Sequence, residues 1–447
     1  GYEGEGNFII FNNNHDDFND LSSVLEVIPP LNEYGLYTID DISPFGPITY
    51  NWIYQDDFYS PTQSGAFRLS NGNTIITSSG TDKRIFEINS NGVIVKNSYS
   101  IISSGTESKS VNTAKSSLIG KAINRPDLTK QVIELAKKQG IKSTYKLVQD
   151  RLNALSALGY SSVGEVVEIG KNVSSIKVGD FVACAGVGYA THAELNYVPI
   201  NLVAKIPKNV DLKDAVYTTL GAIATQGIRR ANAQLGETII VIGLGLIGQL
   251  TNQILKASGC KVIGLDISSQ SIKKAEENGI DICYNSKDDN IVEQVIAYTK
   301  GLGADKVIIT AGSKDKGIMD LSGHLCRDRG AVVIVGDVPL DFSRHIFYEK
   351  ELDIKFSRSY GPGRYDKTYE EKGYDYPIGY VRWTENRNMQ SFLELVANGS
   401  IKPSAITSHE VDFLESAKAY DILTNKNINN YKTILFLHGN AGSLENR

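Results

Sequence analysis

Three glycines and one acid in the middle of the chain have the types and spacing to do chemistry together. Gly243, Gly245 and Gly248 stand as G-x-G-x-x-G within ETIIVIGLGLIGQLTNQILKASGCKVIGLD, and Asp266 closes that run, twenty-three residues after Gly243. A glycine at the first position permits a tight turn. The second lets backbone approach a pyrophosphate, and the third lets a helix pack close to a strand. The main chain of Leu244, Leu246 and Ile247 lies at the expected helix N-terminus, whose free N–H groups and partial positive charge suit phosphate. A carboxylate at Asp266 would accept hydrogen bonds from ribose hydroxyls and repel a 2′-phosphate. No Arg follows it, so the pattern favours NAD over NADP.

The surrounding elements agree with that reading. Residues 239–242 are a continuous apolar strand, as expected when both faces are covered. Ile247, Leu250, Ile254 and Leu255 fall on one helical face, and residues 261–265 form a second strand. The alternation continues with a strand near Ile282, a helix over 288–299, a strand over 306–310, a helix over 319–325 and a strand over 331–335. This is the pattern of a doubly wound parallel sheet. Thr310, Ala311, Gly336 and Asp337 fall at the C-terminal edge of its strands, the side that faces a nicotinamide in such folds.

Composition excludes some classes. A chain of 447 residues with 41% hydrophobic and 22% charged residues can build two or three domains around ordinary cores. A net charge of -5 argues against general affinity for nucleic acid or anionic membrane. No apolar run is long enough to span a bilayer. Cys184, Cys260, Cys283 and Cys326 are too far apart for a zinc ribbon or a C-x-x-C pair, and read as reduced thiols of a cytoplasmic protein.

Upstream, residues 158–210 carry short strands punctuated by glycine, a small β-barrel pattern. The segments VGEVVEIG, VGDFVA and HAELNYVP, followed by TTLGAIATQGIRRA, resemble the medium-chain dehydrogenase/reductase superfamily, the alcohol-dehydrogenase-like fold. The resemblance covers residues 94–424. It implies a GroES-like catalytic domain over 94–225, a Rossmann domain over 226–360 and a return to the catalytic domain over 361–424. Usual members hold a catalytic zinc. Here the ligand positions carry Ser104 (in SGTE), Gly159-Tyr160-Ser161 (in place of G-H-E) and Thr219. Hydroxyls alone make a poor Zn²⁺ site, so no metal is expected. In the place of the zinc histidine, Tyr160 either donates a proton or hydrogen bond to substrate or serves as an aromatic wall. His192 replaces a family aromatic and is either catalytic or a packing residue. Ser104 and Thr219 are candidates to hydrogen-bond substrate hydroxyls.

A closer resemblance is to the N-terminal half of two-domain oxidoreductases whose second half is glucose–fructose-oxidoreductase-like. It rests on a helical insert over 103–152 and on SRSYGPGRYDKTYEEKGYDYPIGYVRWTENRNMQSFLELVANGSIKP. It implies a small-molecule substrate that is a sugar or polysaccharide precursor. Arg358, Tyr360, Arg364, Tyr365 and Tyr376 either line that pocket or form a solvated or dimer-facing loop. A homodimer is a further expectation.

The two ends read differently. Residues 1–60 hold eleven acids and no Lys or Arg. GNFII and VLEVI are echoed by GNTII and IFEIN, which suggests propeller blades, and residues 58–92 resemble an arylsulfotransferase propeller. At the other end TILFLHGNAGSLENR resembles the first strand and oxyanion loop of an α/β-hydrolase. With no G-x-S-x-G in the chain, the 425–447 tail is expected to have no hydrolase activity, and His438 to be a relic. The expected fold class is therefore α/β: a Rossmann doubly wound parallel sheet plus a GroES-like barrel, preceded over 1–93 by a partial β-propeller-like all-β segment. The sequence is expected to join fragments of three families. Its function reads as zinc-independent, NAD-dependent oxidation or reduction of a sugar-like alcohol or carbonyl. The other reading is an impaired chimera that binds NAD(H) without turnover.

Overall fold

The computed structural model describes residues 91–108, 137, 140, 157–424 and 431–438, together with six strands between residues 8 and 88. Most of the expected helical insert lies outside the described residues. The chain divides into two compact units, residues 1–92 with 169–174 and residues 93–168 with 175–447. In the first, β1 (Phe8–Asn12), β2 (Ser23–Val27) and β3 (Trp52–Gln55) form one antiparallel sheet. A second antiparallel sheet holds β4 (Gly65–Arg68), β5 (Thr74–Thr77) and β6 (Ile85–Ile88). Each has three strands among the described residues, whereas a propeller blade has four.

The second unit begins with a barrel-like sheet of β7 (Gly92–Ile102), β8 (Ser161–Ile169), β9 (Phe181–Ala185), β10 (Leu195–Pro199) and β11 (Val203–Lys205). The buried helix α1 (Thr218–Ala231) leads from it into a parallel sheet. The sheet strands are β12 (Thr238–Ile242), β13 (Lys261–Asp266), β14 (Ile282–Asn285), β15 (Ala304–Ile309), β16 (Cys326–Ile334) and β17 (Asp353–Phe356). Their order is β14-β13-β12-β15-β16-β17, the doubly wound arrangement with its switch point beside β12. Helices α2 (Leu246–Ala257), α3 (Ser269–Glu277), α4 (Ile291–Tyr298), α5 (Gly317–Leu325) and α6 (Arg344–Glu349) alternate with these strands. Ile240, Ile242, Ile263, Leu265, Val307, Ile309 and Val332 form the core that holds the strand ends in place.

The chain then returns to the barrel. Helix α7 (Glu385–Ala397), N-capped by the Thr384 hydroxyl, packs on α1 so closely that a Cβ at Gly221 would strike the Phe392 ring at 2.2 Å. Strand β18 (His409–Asp412), helix α8 (Ser416–Thr424) and β19 (Ile434–Leu437) finish the described chain. The barrel sheet runs β11-β9-β8-β7-β19-β18, with β10 also on β7. This corrects the expectation for the tail. Ile434–Leu437 pairs antiparallel with β7 and parallel with β18, and Phe436 is fully buried beside Ile102, Val411 and Leu423. The segment expected to open a hydrolase domain is a strand of the barrel. It also covers an edge of β7. Among the described residues, no helix is long and apolar enough to cross a membrane.

Candidate active site

The glycine turn has the geometry its spacing demands. Gly243 takes φ +94°, and a Cβ there would meet the Ala311 amide nitrogen at 2.6 Å. At Gly248 a Cβ would fall 1.9 Å from the Gly243 carbonyl oxygen. By contrast, the space above Gly245 is open, with nothing within 4 Å, and Gly245 N-caps α2 without a side-chain hydrogen bond. That leaves an uncovered helix N-terminus facing a vacant approach, the geometry an anionic pyrophosphate needs. Leu244 and Leu246 are buried, so they contribute main chain and core packing.

Asp266 ends β13 with its carboxylate accepting from the Leu244 amide at 2.6 Å and the Ser268 amide at 2.8 Å. The next side chain, Ile267, is 68% exposed, an apolar surface that an adenine face could cover and that the sequence reading passed over. Thr310 donates its hydroxyl to the Gly243 carbonyl at 2.5 Å, and Gly336 lies where a Cβ would be 2.0 Å from the Ala311 oxygen. Three strand ends therefore meet at one point. Asp337 is exposed at the rim, and its carbonyl accepts from the Ser313 amide. These residues could hold a dinucleotide.

Helix α1 links this point to the barrel. A Cβ at Gly227 would lie 2.7 Å from Val335, while Thr219 near the other end donates to the Cys184 carbonyl of β9 at 3.1 Å. Thr219 is fully buried, so its hydroxyl serves packing rather than a substrate, contrary to expectation. Tyr160 is half-buried and donates to the Ser103 hydroxyl at 2.8 Å. Burial pushes its phenol above the usual range, eased by the Ser103 and Thr106 hydroxyls and reinforced by Glu107. Ser104, also half-buried, opens the short helical turn over 104–108.

His192 is held at both ring nitrogens. Its Nε2 lies 3.0 Å from Glu107 and its Nδ1 2.7 Å from the Ser100 hydroxyl. Ser100 in turn sits 2.7 Å from Nε2 of His438. Glu107 is buried and also accepts from the Ser103 amide at 2.8 Å and the Tyr420 hydroxyl at 2.7 Å. The sequence reading missed Glu107, Ser100 and Tyr420. The SGTE motif contained Glu107, but nothing local marked its partners.

The loop after β17 forms a second polar layer. Arg364 lies over the rings of Tyr360 and Tyr365 and pairs with Glu370, Arg358 lies over Tyr365, and Tyr376 hydrogen-bonds Asp366. Beneath them Glu385 is fully buried, with neither carboxylate oxygen hydrogen-bonded among the described residues. Burial first and Glu370 next push its carboxyl up to about 9, against the pull of Arg364 and Arg358.

Known proteins resemble this chain in sequence and fold. The family model for zinc-binding dehydrogenases matches residues 247–371. D-guloside 3-dehydrogenase of Shigella flexneri is 28% identical over 267 residues, 59% of this chain and 72% of that protein. A sorbitol dehydrogenase of Halalkalibacterium halodurans is 28% identical over 243 residues, 47% and 70% of the two chains. Among solved structures, the alcohol dehydrogenase TADH from Thermus sp. ATN1 aligns with TM-score 0.57 at 18% identity, over 83% of this chain and 98% of that one. Galactitol-1-phosphate dehydrogenase from Escherichia coli aligns with TM-score 0.56 at 16% identity, over 82% and 100%. The fold is alcohol-dehydrogenase-like, and the sequence matches support an oxidoreductase.

Proposed function

We propose that the chain is an NAD-linked dehydrogenase that works without a catalytic metal on a sugar-like alcohol or carbonyl. The observation that carries this is the pairing of a complete dinucleotide cradle with a hydroxyl-only set at the family's metal positions. Gly243 to Gly248 would hold the pyrophosphate and Asp266 the adenosine ribose, with the nicotinamide toward Thr310, Ala311 and Gly336. Bound NAD would exchange hydride with the substrate carbon.

Zinc fits poorly at Ser104, Tyr160 and Thr219. The Thr219 hydroxyl is already donated, and a phenol held above its usual pKa resists the ionisation that a metal ligand needs. The same shift keeps Tyr160 protonated at neutral pH. By turning its hydroxyl from Ser103 to a bound substrate, it can then donate a hydrogen bond to a carbonyl oxygen and pass a proton as the alcohol forms. The guloside and sorbitol activities of the relatives favour a polyhydroxylated substrate.

Titration of the purified chain with NADH and NADPH, followed by sugar and polyol screening after exhaustive chelation, tests the reading. Tighter NADH binding and turnover that survives chelation are expected. Activity lost on chelation and restored by Zn²⁺ would refute the metal-free part. NADH binding without turnover of any alcohol or carbonyl would leave a binding protein.

A further inference from the structure

The geometry points to His192 as a positioning residue that, clamped between Glu107 and the Ser100–His438 pair, sets the Tyr160 turn from the far end of the chain. This deepens the dehydrogenase reading above and rests on Tyr160 being its substrate-facing hydroxyl.

With both imidazoles neutral, the hydrogen bonds allow one proton arrangement. Glu107 is an acceptor for the Ser103 amide and the Tyr420 hydroxyl, so His192 Nε2 donates to it. In the neutral imidazole Nδ1 is then bare and accepts from the Ser100 hydroxyl. Ser100 has spent its only proton, so it accepts from Nε2–H of His438. His438 Nδ1 is left bare, and it is buried without a partner among the described residues. Its pKa, lowered to about 4 by burial and then by His192, agrees with a neutral ring. Donation therefore runs one way, His438 to Ser100 to His192 to Glu107.

This chain touches both turns that carry the site. The Glu107 carboxylate holds the Ser103 amide, and the Ser103 hydroxyl receives the Tyr160 phenol. On the other side the His192 ring fills the space above Gly159. Gly159 takes φ +92°, and a Cβ there would lie 2.9 Å from both Nδ1 and Cε1 of that ring. The His192 amide donates to Leu158 at 2.9 Å. His192 thus fixes the Leu158–Tyr160 turn against the Ser103–Glu107 turn. Its own orientation is set by β19, whose end places His438, and by α8, which supplies Tyr420 through Glu107.

The test compares the full chain with His192→Phe, which keeps an aromatic ring but loses both nitrogens, and with His192→Gln, which can still donate to Glu107. In His192→Phe kcat should fall roughly tenfold to a hundredfold, the scale of a misplaced reacting group. NADH affinity and substrate KM should change little. His192→Gln should recover part of kcat. Nitrogen-15 spectra of the unmodified protein should show both His192 and His438 as Nε2–H tautomers, and Ser100→Ala should perturb both. An unchanged kcat in His192→Phe, or an Nδ1–H tautomer at His192, would overturn the proposal. If the unmodified protein binds NADH but turns nothing over, the dehydrogenase reading fails instead. The tautomers, with exchange of the Ser103 amide that should quicken in His192→Phe, then still decide the clamp.

Discussion

At the scale of single residues, the second and third glycines of the cofactor turn separate binding from folding. Gly245 faces open space, so a methyl there meets no protein atom and would occupy the pyrophosphate's approach. Gly248 faces the Gly243 carbonyl, a backbone atom that cannot swing aside. Gly245→Ala should therefore keep the melting temperature and lose NADH affinity by tenfold or more, whereas Gly248→Ala should lose both. Calorimetry with NADH fluorescence on each variant distinguishes the two. Asp266 has a related double duty. Its carboxylate already orders the Leu244 and Ser268 amides, and hydrogen bonds to a charged group are worth about 1.5–3 kcal/mol. Asp266→Asn should weaken NADH binding roughly tenfold and narrow its margin over NADPH, read from paired titrations. Equal loss for both cofactors would place Asp266 in loop support alone.

Elements explain what was legible in the sequence and what was not. The cradle could be read because its strand, turn, helix, strand and acid lie consecutively, and periodicity marks each. The fold of residues 226–360 followed from the same local alternation, with strand bounds shifted by a residue or two except at β16, which begins five residues earlier than expected. The hydroxyl at Thr219 was misjudged because spacing shows which turn a residue occupies, and burial then decides what its side chain can reach. The tail was misjudged for a related reason. A short apolar strand followed by small residues looks alike whether it opens a domain or closes a barrel, and only pairing separates the two. His438 and Ser100 are 338 positions apart and Tyr420 and Glu107 313, so no local pattern could reveal the clamp. Because β19 lies between β7 and β18 and buries Phe436, ending the chain after Thr424 should open the barrel. Amide exchange in β7 should then rise sharply while β12 and β13 stay protected. Uniform protection in the shortened chain would mean that β19 is dispensable.

For the whole molecule, two buried groups push stability in opposite directions with pH. His438 has its pKa lowered from 6.5 to about 4, by burial and then by His192, with Asp412 opposing. Between those values the unfolded chain binds more protons, so the stability this site contributes is complete above pH 6.5 and is lost as pH falls through about 4. Glu385 has its pKa raised from 4.5 to about 9, by burial and then Glu370, with Arg364 and Arg358 opposing. Here the folded chain holds the extra proton, so this contribution is full below pH 4.5 and is lost as pH rises through about 9. The alkaline loss should be the larger, because it spans the wider gap and ends in an unpaired charge at a fully buried position. Urea midpoints between pH 4 and pH 9 should therefore decline on the alkaline side in the unmodified protein. Glu385→Gln, isosteric and neutral throughout, should remove most of that decline and steepen the acid-side rise, because the Glu385 contribution already opposes that of His438 between pH 4.5 and 6.5. An alkaline decline that persists in Glu385→Gln would mean that the carboxyl is already solvated, with Arg364 and Arg358 enough to hold its charge.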